Sequence, residues 1–308
     1  MHALTILDDR QPSAEWPSRS SGSPTGNAIS ASPGDACILA WLLEQDERRL
    51  QALYAAADRI RRENVGDAVR LRGLVEISSY CARRCMYCGL RAERTGLARY
   101  RMSANAILEC ARQAVEFGYG TLVLQAGEDY GLRRTLVAEL IRRIKAETPL
   151  ALTLSLGERP VRDLAAWREA GADRYLLRFE TSDPRLYARI HPPAGSRPSD
   201  RINLLRILRR LGYEIGSGVM IGIPGQTYET LARDILLFRD LDLDMIGVGP
   251  FIPHPQTPLG AGTIIGSRDD RRAGSSRPVR PRDQVPPTED MTYKTVALAR
   301  LVCPEANI

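Results

Sequence analysis

The stretch SSYCARRCMYCGLR, residues 78–91, carries Cys81, Cys85 and Cys88, half of the chain's six cysteines within eight positions. Short spacers let successive thiolates converge on one metal centre, whereas six cysteines in 308 residues make no disulfide framework. A structural zinc would need a fourth Cys or His. The only histidines are His2, His191 and His254, and none stands at finger-like spacing. Three thiolates suit a 4Fe–4S cluster, which leaves one iron open to a non-protein ligand. Arg83 and Arg84 lie between the cysteines, and such charges avoid an apolar interior, so the triplet does not read as three small core residues. Cys110 shares a helical face with Ile107 and Ala114 and reads as core; Cys37 and Cys303 are isolated and receive no role.

The elements that must position the triplet follow from hydrophobic period. Residues 1–35 are rich in Ser, Pro, Gly and Ala and read as a disordered tail. Residues 36–70 read as a helical segment, with apolar spacing at threes and fours from Ala36 to Arg62. Short β-rich runs then alternate with amphipathic stretches: LRGLVEIS, TLVLQ, LALTLSL, RYLLRFE, YEIGSGVMIGI and DMIGVGPFI. The intervening helices are predicted near 103–117, 132–146, 161–170, up to 211, 228–241 and 291–302. Ser103 is a plausible N-cap, and Gly118, Gly171 and Gly212 fall where helices should stop. Six βα units over residues 71–308 imply an α/β fold with a parallel sheet. Polar residues at the C-terminal ends of the strands favour a TIM-type barrel, whose sites lie at that end. A doubly wound sheet would want a glycine-rich phosphate loop after its first strand; here that turn holds the cysteines.

The net charge of +6 raises the question of nucleic acid. Residues 268–282, RDDRRAGSSRPVRPR, hold six Arg and two Asp and so carry +4 of it. No aromatic is interleaved for stacking, so the stretch reads as a solvated loop and no nucleic-acid partner is expected. No apolar run reaches the ~20 residues of a membrane span, and no secretion signal opens the chain. A soluble, cytoplasmic protein is expected.

C-x3-C-x2-C with an aromatic, Tyr87, before the last Cys resembles the signature of radical S-adenosylmethionine enzymes. The blocks RGLVEISSYCARRCMYCGLR, RYRMS, LVLQAGED, LTLSLGE, EAGADRYLLRFET, GVMIGIPGQT and GVGPFIPHPQTPL together resemble the HydE-type FeFe-hydrogenase maturases. Biotin synthase and methylornithine synthase are similar relatives. The resemblance runs from about Leu53 to Leu259 and resumes through Ile308. It implies a 4Fe–4S cluster at Cys81, Cys85 and Cys88, with S-adenosylmethionine as the ligand of the open iron. It also implies a small-molecule or small iron-complex substrate, an electron donor such as a flavodoxin or ferredoxin, and other hydrogenase maturases as partners. The alternative is a small-molecule mutase or sulfur-insertion enzyme.

Cosubstrate contacts follow from chemistry and resemblance together. Gly127 permits close backbone approach, and Glu128 beside it can hold the cosubstrate's ammonium. Relatives often carry Ser or Gly where this chain has Ala126. Arg178 and Glu180, two apart on a predicted strand, share a face, so the acid can accept from ribose hydroxyls while Arg178 balances charge. Arg201 resembles the family arginine that binds the methionine carboxylate. GIPGQT, residues 222–227, resembles a turn that shapes the adenine pocket. Glu158 is read as facing the substrate cavity and His254 as a loop residue. HydE-type proteins form an eight-stranded barrel, so this chain is expected to be a partial barrel, truncated before strands 7 and 8. An Arg- and Pro-rich insertion is expected at 265–290.

Overall fold

A computed structural model describes residues 33–193, 199–262 and 280–308. Six strands form one sheet: β1 (Gly73–Ser78), β2 (Thr121–Ala126), β3 (Ala151–Ser155), β4 (Arg174–Leu176), β5 (Glu214–Ile221) and β6 (Met245–Pro250). Every neighbouring pair is parallel, and the spatial order is the chain order. A doubly wound sheet reverses its strand order part-way, whereas strands added always to the same side curl toward a barrel. Among the described residues β1 and β6 do not pair, so the barrel is partial and open. At its far edge Asn307 makes an isolated parallel bridge to Met245, with the Ile246 N–H donating to its carbonyl at 2.8 Å.

The crossovers are α3 (Ala104–Glu116), α4 (Arg134–Glu147), α5 (Val161–Glu169), α6 (Pro184–Ile190) with α7 (Arg201–Arg210), and α8 (Tyr228–Asp240); α9 (Glu289–Val302) follows β6. Ser103 caps α3 by accepting from the Ala106 N–H. Gly118, Gly171 and Gly212 follow helices with φ of +75°, +112° and +87°, as the stop signals require. Trp167, Tyr175, Phe179, Tyr213 and Phe238 are fully buried between sheet and helices. Cys110 packs against this core and Cys303 lies within it.

Several predicted boundaries shift. Pro33–Asp35, expected in the tail, open the first helix, α1 (Pro33–Leu43); the rest of the tail, 1–32, lies outside the described residues. The single N-terminal helical segment is two helices. After α1, Asp46 caps α2 (Glu47–Asn64), and the buried Lys294 of α9 donates to the Leu42 and Glu44 carbonyls at the break. The Arg-rich stretch lies outside the described residues up to 279. From 280 onward Pro281–Asp283 form a 3-10 turn, Val285 is fully buried, and Thr288 caps α9. The GIPGQT turn packs on this segment, with the Gly225 N–H donating to Gln284 Oε1 (2.7 Å) and the Val285 N–H to the Gln226 carbonyl (3.0 Å). No helix of the described residues is long and apolar enough to cross a membrane.

The closest approach in the sheet is at Gly218, where an added Cβ would fall on the Gly247 carbonyl of β6. Backbone cannot swing aside as a side chain can. Gly218→Ala is therefore expected to lower unfolding stability by about 3 kcal/mol or more, read from the urea midpoint of the apoprotein. An unchanged midpoint would show that β5 and β6 part freely.

Candidate active site at the carboxyl end of the sheet

The cysteine loop leaves β1 and is stitched to three other parts of the molecule. The Ala82 N–H donates to the Glu128 carbonyl after β2 (3.0 Å), and the Met86 N–H to the Ile190 carbonyl at the end of α6 (2.9 Å). Met86 in turn accepts from the Leu259 N–H, beyond β6 (3.1 Å). Arg99 braces the loop from outside by donating to the Ser79, Leu90, Arg91 and Arg94 carbonyls. Gly127 is needed for this seating, since a Cβ there would meet the Tyr80 carbonyl and come within 2.7 Å of Cys81 Cβ.

The thiols of Cys81 and Cys88 accept backbone hydrogen bonds. Cys81 Sγ accepts from the Arg83 and Glu128 N–H groups and Cys88 Sγ from the Leu90 N–H, all at 3.4 Å. Such N–H···S contacts stabilise charge on sulfur and tune an iron–sulfur centre. Cys85 is buried, and burial pushes its thiol up to about 12, so displacement of its proton falls to a metal. Among the described residues no three His, Cys, Asp or Glu groups converge on a single ion. Three cysteine thiolates leave one iron of a 4Fe–4S cluster for a ligand from outside the protein. The donor set fits a 4Fe–4S cluster.

Beneath the loop lies a chain of buried charges that hydrophobic patterning does not reveal. Arg83, expected outside, is buried: its Nε lies 2.9 Å from Glu128 and its Nη2 2.9 Å from Glu158. Glu158 also holds Arg201 (3.1 Å) and accepts from Ser199, which bonds Tyr187. Arg201, the first residue of α7, donates to the Arg178 carbonyl (2.7 Å). Glu128 accepts from the Tyr130 hydroxyl (2.7 Å) and the Glu158 N–H (3.0 Å). Its carboxylate is thus occupied by the protein itself, and it bears on the cysteine loop through Arg83. Arg83 and Glu158 also wall a cavity of ≈ 270 Å³ between the start of α5 and α7.

Arg178 and Glu180 do meet, with Nη2 3.2 Å from Oε2, but not as strand neighbours. β4 ends at Leu176 because the Ser217 hydroxyl intervenes, donating to the Leu177 carbonyl and accepting from the Phe179 N–H. Glu180 then adopts φ +64°, in the left-handed region that a residue with a Cβ rarely enters. Burial raises its carboxyl above the usual range against the pull of Arg178 and Arg201. Its Oε2 has no hydrogen bond among the described residues. A strained, buried carboxylate oxygen that is ion-paired with Arg178 but makes no aligned hydrogen bond is one a ribose hydroxyl would complete, so the site also fits an adenosyl ligand.

Tyr87 lies over a small second core that includes Ile190, Ile223 and Phe251. Its hydroxyl is 2.8 Å from His191 Nε2, and burial holds the tyrosine well above its ordinary pKa and the histidine well below. Tyr187 stacks on His191. His254 rests against Gly89, next to Cys88, and its Nδ1 accepts from the Gln256 N–H. Residue patterning missed His191, Tyr187, Ser199 and Arg83. The one legible omission is Asp234, an acid within the apolar face of α8.

Three thiols after the first strand of an open parallel barrel, above a ring of strand-end charges, define the arrangement of radical S-adenosylmethionine proteins. The sequence profile described as the Radical SAM superfamily matches residues 75–238, and the chain belongs to that superfamily. It is 43% identical over 258 residues to the FeFe hydrogenase maturase subunit HydE of Thermotoga maritima, covering 84% of this chain and 67% of that protein, and it belongs to the HydE-type family. The 3-methylornithine synthase of Methanosarcina acetivorans is 30% identical, over 73% of this chain and 64% of that one. The crystal structure of a methylornithine synthase superposes with TM-score 0.73 at 25% identity, covering 88% of this chain and 74% of the other. The chain spans about two thirds of the length of the two curated relatives. It is a radical S-adenosylmethionine enzyme, using a 4Fe–4S cluster and S-adenosylmethionine.

Gly127→Ala should push the loop off β2. Overpacking of roughly 1–3 kcal/mol predicts iron retention weakened about 5- to 150-fold with the fold intact, read from iron content after chelator challenge beside circular dichroism.

Proposed function

We propose that Cys81, Cys85 and Cys88 hold the cluster, and that the enzyme acts in FeFe-hydrogenase maturation on a small iron-complex substrate. Bound there, the cluster supplies the electron that cleaves the sulfonium of S-adenosylmethionine to methionine and a 5'-deoxyadenosyl radical. The chain's own residues bind and orient. Glu180 accepts from the ribose hydroxyls through Oε2, which makes no hydrogen bond among the described residues, with Arg178 paired to it to balance the charge. Tyr87, held by His191, packs against the adenosyl group. Gly127 lets the backbone after β2 come close to the ligand, Glu128 fixes Arg83, and Arg201 turns its remaining donors toward the methionine carboxylate. The cysteine loop at the same end of the sheet as Glu180, whose Oε2 makes no hydrogen bond among the described residues, carries this reading. The hydrogenase role rests on the 43% identity to HydE of Thermotoga maritima. A one-electron carrier such as a flavodoxin or ferredoxin serves as donor, other maturases as partners, and the cytoplasm as compartment.

A second reading, a small-molecule mutase, draws on the fold match to methylornithine synthase. Restoring hydrogenase activity in a strain lacking its HydE-type maturase supports the first; failure, with formation of 3-methylornithine, supports the second.

Anaerobic reconstitution is expected to load about four irons and to yield 5'-deoxyadenosine from S-adenosylmethionine under reduction. Cys81→Ala, Cys85→Ala and Cys88→Ala should each lose the cluster, whereas Cys110→Ala keeps it. Glu180→Ala should keep the iron but weaken S-adenosylmethionine binding about 5- to 150-fold, the loss of a buried hydrogen-bonded group worth roughly 1–3 kcal/mol. Unchanged affinity by calorimetry returns Glu180 to a purely structural part.

A further inference from the structure

The left-handed conformation of Glu180 has a cost, on the order of 1–3 kcal/mol, that neighbouring structure must offset. Two groups grip the segment from either side. Ahead of Glu180, Ser217 bonds both the Leu177 carbonyl and the Phe179 N–H, while the Glu180 N–H reaches the Gly218 carbonyl at 3.0 Å. The Thr181 N–H turns back to the Phe179 carbonyl at 2.8 Å, a three-residue turn centred on Glu180. Behind it stands Asp234 of α8, with no exposed surface, whose Oδ1 accepts from the Ser182 N–H at 2.6 Å. The other carboxylate oxygen of Asp234, Oδ2, has no hydrogen bond among the described residues. No other described side chain accepts from the Ser182 N–H, and nothing in the mechanism above uses this buried acid.

We propose that Asp234 is a positioning residue that locks the 179–182 turn and so holds Glu180 in the conformation that keeps its carboxylate available to the ribose. This rests on the ribose reading of Glu180, although the lock itself is a property of the protein without ligand. Burial raises the Asp234 carboxyl to about 7, with the Ser182 hydrogen bonds pulling the other way. Both its charged and its neutral form keep an oxygen for the Ser182 N–H. Asp234→Asn therefore preserves the lock, and Asp234→Ala removes it. From the turn the chain passes straight into α6, where Asp183 caps the first turn and the Ile190 carbonyl holds Met86 of the cysteine loop.

Hydrogen exchange on the full chain without ligand tests the lock. Asp234→Ala should speed exchange of the Ser182 amide at least about tenfold while Asp234→Asn stays within about threefold of the parent. Exchange unchanged in Asp234→Ala overturns the proposal. A double-mutant cycle on the anaerobically reconstituted protein then tests the route to the ligand. Asp234→Ala should weaken S-adenosylmethionine binding roughly 5- to 30-fold at full iron content, but less than about twofold in a Glu180→Ala background. Binding of 5'-deoxyadenosine should fall in parallel, and methionine binding should not. A full effect that persists in the Glu180→Ala background, or an equal loss for methionine, overturns the route through Glu180. If Glu180→Ala alone binds S-adenosylmethionine like the parent, the ribose reading falls, and the exchange measurement still decides whether Asp234 locks the turn.

Discussion

The guanidinium of Arg83, buried between Glu128 and Glu158, is the contact on which the rest of the site depends. It lies inside the cysteine motif, so whatever fixes Arg83 fixes the thiols on either side of it. Its two carboxylates come from the ends of β2 and β3, and Glu158 passes the constraint on to Arg201 at the start of α7. Removing one member of such a buried chain leaves uncompensated charge at a cost of about 3–5 kcal/mol, whereas the intact chain is close to neutral for stability. The chain is thus better understood as fixing geometry than as holding the fold together.

The polar groups at this end of the sheet divide by how far the protein satisfies them. Glu128 and Glu158 have arginine, hydroxyl and amide donors, and they set position. Glu180 is buried and strained with an oxygen that lacks a hydrogen bond, which is where a ligand has something to add. A free energy kept as unsatisfied hydrogen bonding is recovered only when a partner with matching donors arrives. The thiols follow a similar logic, since burial raises the Cys85 thiol to about 12 and so disfavours its charged form without a partner.

The site also explains why the sheet runs in chain order. Strands added to one side place the loops after β1, β2 and β3 in adjacent positions, so the cysteines, Glu128 and Glu158 are neighbours by topology. The α6 terminus and the segment after β6 reach the same loop from the other side, through Ile190 and Leu259. A doubly wound order would have separated these ends at its switch point.

The cysteine triplet, the six alternating βα units and most helix ends were legible in the sequence. Each is a local signal: thiol spacing, period 2 against period 3.6, a capping serine or a stop glycine. The residues proposed to bind the cosubstrate were singled out only through resemblance. Tertiary structure decided what became of the charges, because pairing rather than residue type determines whether an arginine is buried. Arg83 reads as a surface residue until Glu128, 45 positions away, and Glu158, 75 away, are brought beside it. The end of β4 was hidden for the same reason, since it is set by the Ser217 hydroxyl of the neighbouring strand and not by RYLLRFE itself. Hydrogen bonds and ion pairs between distant segments leave no period in a sequence, so the fold could be read along the chain while the geometry at Glu180 arose only across it.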